Sequence, residues 1–153
     1  MKYLFAAALL LLAVPAQAAP LFSLVMVEDC VRLDKPHPIA GIGGLPMCVA
    51  ETPFLTEKDI ITARIVAVPA ERLAGFGLAD PHVLHLTVTP AAARRLTDLS
   101  YDNHGESFVA MTNGEAISLS SIGDPFQGAD LELLVSLNDA DFSGLVKKLG
   151  NAP

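Results

Sequence analysis

Asn113-Gly114 is the feature that most narrows what this chain can fold into. An Asn-Gly pair between two runs of strand character is the strongest short signal for a two-residue hairpin, because both turn positions need a positive φ. On the first arm Phe108, Ala110 and Thr112 alternate with Val109 and Met111. On the second, Ala116, Ser118 and Ser120 alternate with Ile117, Leu119 and Ser121. A hairpin alone is marginal in water, so its apolar face needs a cover. Two segments of helical pattern offer one, Pro90–Asp102 before it and Asn138–Leu149 after it. The reading is a small α+β layer.

The first eighteen residues read as an export signal rather than as part of the fold. Lys2 supplies a positive start, Phe5 to Val14 an apolar core, and Ala16-Gln17-Ala18 a small-x-small cleavage site. The apolar run is short for a membrane helix, which needs roughly 20 residues. Cleavage is expected after Ala18, with no stable membrane insertion thereafter and a periplasmic or secreted mature chain. Taking the 18 away from 153 residues leaves 135, enough for one domain with its own core. Lys2 is the leader's only charge, so the 10 basic and 17 acidic residues of the whole become a net charge of −8. An acidic chain with no Lys/Arg cluster lacks the footprint of a nucleic-acid binder.

Cys30 and Cys48 both lie in the mature part. In an oxidising compartment an even count reads as a disulfide, with free thiols or metal ligation as the alternatives. The loop between them holds three prolines and three glycines and no clear period, and it reads as irregular. Closing it should stabilise the fold by about 3 kcal/mol in the chain-entropy model.

Along the chain, Leu21 to Val27 reads as a first strand, and Met47 to Ala50 as a brief strand. Thr56 to Asp59 fits a helix-start pattern, giving a short turn that ends near Thr62. Ala63 to Val68 reads as a strand with Arg64 among apolar neighbours, and Pro69 to Pro81 as a connection. His82 to Thr89 places Leu84, Leu86 and Val88 on one face and Val83, His85 and Thr87 on the other. Thr89-Pro90 opens a helix that carries Ala92, Leu96 and Leu99, and Asn103-His104-Gly105 closes it. Leu131 to Val135 is another strand. Asn138 caps a last helix with the stripe Phe142, Leu145, Val146 and Leu149. The organisation expected is a signal peptide over 1–18, an N-terminal strand and disulfide loop over 19–53, and an α+β domain over 54–150.

Three stretches of that domain resemble the head subdomain of the large periplasmic domain of SecD, from the SecDF protein-export membrane complex. They are Phe54-Leu55-Thr56 with Asp59-Ile60, the run Leu84 to Ala93, and the hairpin Phe108 to Ser118. Ser136 to Asp141 matches the start of that family's last helix, and the order and spacing agree. The family's membrane helices are missing, Ala92 stands where it usually has Gly, and a Pro expected after Ser118 is absent. The resemblance implies a small two-layer α+β sandwich of ferredoxin-like type, with a mixed or antiparallel sheet and two main helices on one face. It also implies a domain that engages polypeptide, by sheet-edge or groove contacts.

No motif with a catalytic mechanism accompanies it. His82 and His85 are i and i+3 on a strand, hence on opposite faces and a poor metal chelate. His37 and His104 sit in a loop and at a helix end. Ser118, Ser120 and Ser121 lack a nucleophile elbow and read as a solvated face. Gly41 to Gly44 has no following G-K-[ST] to make a phosphate loop. The chain therefore reads as non-enzymatic, without cofactor or metal. It is expected to bind a polypeptide or envelope partner, with Asn113, Gly114 and Glu115 at the exposed hairpin tip as the contact. The alternatives are a small exported ligand binder or enzyme using the Cys30–Cys48 loop, and a subunit of an envelope assembly.

Overall fold

The strand pattern gives two antiparallel sheets around a shared core. A computed structural model describes residues 19–31, 38–42 and 46–150. The leader expected over 1–18, His37 and Gly43-Gly44 lie outside the described residues. Strands β1 (Phe22–Glu28), β2 (Pro38–Ala40), β3 (Pro46–Val49) and β4 (Leu55–Thr56) come first, then β5 (Ile60–Val66), a short α1 (Ala70–Leu73) and β6 (Pro81–Val88). Helix α2 (Pro90–Asp102), the hairpin β7 (Ser107–Thr112) and β8 (Glu115–Ser121), β9 (Asp130–Ser136) and α3 (Asp139–Leu149) complete the chain. The first sheet runs β2-β3-β1-β7-β8, with β4 also paired to β1. The second runs β5-β6-β9. The α+β sandwich expected from sequence is present, its strands divided between two sheets.

Local chemistry sets most of the boundaries. Asn113 and Gly114 take φ values of 49° and 85°, as a two-residue hairpin turn requires. The Thr89 hydroxyl accepts from the Ala92 amide at the start of α2, and Asn138 accepts from the Asp141 amide at the start of α3. Thr56 and Asp59 form a reciprocal capping box around the 3-10 turn Glu57–Asp59.

The main core takes one face of every layer. It holds Phe22 and Leu24 of β1, Phe108 and Ala110 of β7, Leu84, Leu86 and Val88 of β6, and Leu131, Leu133 and Val135 of β9. Both long helices face it, through Ala92 and Leu96 and through Phe142, Leu145 and Leu149. Ser100 of α2 is also fully buried, and its hydroxyl is satisfied twice: it donates to the Thr97 carbonyl and accepts from the Phe126 amide.

Strand alternation sends the other residues of β1 and β7 to the reverse face of the first sheet, where a second, smaller core forms. Val25, Val49 and Val109 are its buried members, with Val27, Ile39, Met47, Met111 and Ala116 packed against them. Its cover is the β2–β3 hairpin, joined to the end of β1 by the Cys30–Cys48 disulfide.

Four sequence expectations need correction. The Cys30–Cys48 segment is not irregular throughout, because Pro38, Ile39 and Ala40 ladder with Cys48, Met47 and Pro46. Its prolines hide the strands from sequence reasoning, yet they are tolerated on an edge strand and at a strand's first residue. The connection before β6 contains α1 and a 3-10 turn over Ala74–Phe76. Strand β5 begins at Ile60, with an irregularity between Ile60 and Thr62. Ser118 is buried rather than solvated, since a bulge in β8 opposite Ala110 and Met111 leaves both Ile117 and Ser118 inside.

Candidate functional site

The outer face of the second sheet grades from apolar to charged across three rows. Leu84, Leu86 and Val88 point inward, so Val83, His85 and Thr87 point out. Register aligns Val66, Val83 and Leu134 in one row, Arg64, His85 and Glu132 in the next, and Thr62, Thr87 and Asp130 in the third.

The apolar row lies under the segment that precedes β6. Pro69 leads into α1, and Gly77, at φ 64°, ends the 3-10 turn that follows. This segment hangs Leu73 and Phe76 beside the row. The result is a groove of about 480 Å³ lined by Val68, Leu73, Phe76, Val83 and Leu134, with the charged residues Arg72 and Glu132 also in its lining. Phe76 is 63% exposed, a large ring left facing water.

The charged row centres on His85, which is buried among ionised neighbours. Its Nε2 is 3.1 Å from Asp130 Oδ1 and 3.4 Å from Arg64 Nη2. Its Nδ1 makes no hydrogen bond and stands 3.5 Å from Glu132 Oε1. The Thr87 hydroxyl donates to Asp130 Oδ1 at 2.8 Å. That bond holds the Asp130 carboxyl below the usual carboxylate range; desolvation opposes it, and His85 and Arg64 act with it. The ionised form therefore stabilises the fold above the ordinary Asp value of about 3.9, and the contribution is lost as pH falls through the lowered folded value. Asp130→Asn should flatten the acid end of the stability–pH curve. An unaltered acid limb in urea titrations from pH 2 to 6 would contradict this account.

His82 lies on the opposite face, as alternation requires. It stacks on Phe142, with ring centroids 4.4 Å apart, and its Nε2 lies 3.3 Å from Asp139 Oδ1. The two histidines therefore share no site.

The hairpin tip sits between two clefts. One, of about 300 Å³, is bounded by Thr112, Asn113 and Glu115 on the tip and by Ala140, Gly144 and Lys148 on α3. The other, of about 490 Å³, lies between Gly114, Glu115 and Ala116 and the β2 residues Pro38, Ile39 and Ala40. The structure thus places Asn113 and Glu115 beside α3, and Gly114 and Glu115 beside the disulfide-bridged hairpin. Sequence reasoning missed the charged cluster. Arg64 among apolar neighbours was its visible signal, but Asp130 and Glu132 are far along the chain.

No protein-family model matches the chain, and no curated protein matches it. Solved structures do. A structure of SecDF, a membrane component that enhances protein export, matches with a TM-score of 0.58 at 17% identity, over 84% of this chain and 61% of that one. The chain has a SecDF head-like fold. SecDF in its super-membrane-facing form matches with a TM-score of 0.57 at 16% identity, over 84% of this chain and 18% of that one. The likeness is one of fold, and the chain spans only part of each SecDF structure's length. Among the described residues, no helix is long and apolar enough to cross a membrane.

Proposed function

We propose that this is an exported, non-enzymatic SecDF head-like domain that holds a segment of another polypeptide, linked to protein export. The observation that carries the reading is the apolar groove on the outer face of the second sheet, with Phe76 at its wall. An apolar concavity with a few polar groups at its edge is the usual form of a binding site. Among the described residues, neighbouring β5 is an edge strand paired to β6 alone, so an extended chain can add main-chain hydrogen bonds beside the groove. The leader and the Cys30–Cys48 bridge support a periplasmic or secreted location. The hairpin tip at Asn113, Gly114 and Glu115 is a second contact in this reading.

The test replaces Phe76 with a photoreactive phenylalanine analogue, with the same analogue at exposed Tyr101 as control. Purified mature protein is irradiated with a polypeptide kept unfolded by reduction and carbamidomethylation, and separately with its native form. Crosslinks from position 76 to the unfolded form alone are the expected result. Equal yields from positions 76 and 101 would refute the reading. A second reading, a small-ligand site at the disulfide hairpin, is favoured by the cleft between β2 and the hairpin tip.

A further inference from the structure

Resting on the reading that the groove takes polypeptide, its charges specify which polypeptide. Glu132 lines the groove and also faces His85 Nδ1, and its side chain is 63% exposed. Among the described residues, the only other charged one in the groove lining is the cation Arg72. A groove with one charge of each sign matches a polypeptide, which carries both signs, better than an amphiphile with a single anionic head.

The ring of His85 cannot satisfy all its neighbours at once. Arginine only donates and a carboxylate only accepts, so Nε2 serves either Arg64 or Asp130. Neutral His85 with its proton on Nδ1 accepts from Arg64 and turns that proton toward Glu132. Protonated His85 offers N–H to Asp130 and Glu132 together. The charged groups facing the ring are Arg64 from β5 and Asp130 and Glu132 from β9, with Thr87 beside it on β6. Apart from the ring, these charges sum to −1, a field that draws a cation toward Glu132.

We propose that the groove selects an apolar segment with a basic residue at one end, and that this cation meets Glu132. Arg72 sets the direction, repelling the basic end from its own part of the groove.

Fluorescence anisotropy of the full mature protein with labelled peptides tests this. The probes are an eight-residue Leu/Ala run ending in Lys, the same run ending in Glu, and dodecanoate as competitor. At pH 8 the Lys peptide should bind about two- to fivefold more tightly than the Glu peptide, the range of an exposed ion pair. That preference should vanish in Glu132→Gln, an exposed site whose replacement leaves the core untouched. Equal binding of the two peptides, or a Lys preference that survives Glu132→Gln, overturns the proposal and leaves polypeptide binding standing. Displacement by dodecanoate that depends on Arg72 overturns it in favour of an anionic amphiphile. Failure of both peptides to bind overturns the proposal and the reading beneath it.

Discussion

A chain that begins at Phe54 should not fold. Residues 19–53 read in sequence as an appendage to an α+β domain over 54–150, yet they supply β1, an inner strand of the first sheet. Five register pairs join β1 to β7, from Phe22 with Thr112 to Met26 with Phe108. Phe22 and Leu24 are completely buried in the main core, and Val25 is 4% exposed in the second. Burying such side chains stabilises by about 1.5–3 kcal/mol each. Loss of the three alone approaches the roughly 5–15 kcal/mol that holds a typical domain together. The truncation also strips β7 of its partner on one side and leaves a new edge beside exposed core. The expected result is a chain without a cooperative urea transition and without dispersed amide resonances. A sharp transition from residues 54–150 alone would show that β1 is dispensable and that the domain boundary lies at Phe54.

Removing the disulfide should cost about 3 kcal/mol, the value expected for closing a loop of this size. Cys30 and Cys48 are 18 positions apart, and Cys48 is 2% exposed at the margin of the second core. Apart from the bridge, β3 holds to β1 through the pairs Val27 with Val49 and Glu28 with Cys48, and the Ala50 amide donates to the Met26 carbonyl just beyond. Without the crosslink the β2–β3 hairpin must keep Val25 and Val109 covered through these few contacts. Alanine is the proper replacement at both positions, because serine at Cys48 would bury an unpaired hydroxyl. Urea unfolding of Cys30→Ala/Cys48→Ala against the oxidised parent gives the difference directly. A loss under about 1 kcal/mol would mean that the unfolded state gains little freedom from the cut.

Where sequence reading succeeded, the cause lies within a few residues. Asn113-Gly114 forms the turn it signals because the φ requirement belongs to those two residues. Thr89-Pro90 and Asn138 with Asp141 start helices because the capping groups are three positions apart. The stripe Phe142, Leu145 and Leu149 faces the core because helical period alone puts it on one side. Ser118 was misjudged for the complementary reason: its burial depends on a bulge opposite β7, and alternation within β8 carries no trace of it. The β2–β3 hairpin was hidden likewise, since its prolines argue against strands except at an edge, and being an edge is a property of the whole sheet.

By itself, then, the sequence determined the short-range parts: the hairpin, the two long helices and their caps, the inward faces of β6 and α3, and the pairing of the two cysteines. Only tertiary structure decided the long-range ones. The Thr112 hydroxyl donates to the Leu21 carbonyl across 91 positions of chain, and His85 meets Asp130 across 45. Such partners are chosen by which sheet each strand joins and in which register. That choice is settled by burying one continuous core, to which every segment contributes and which none encodes alone.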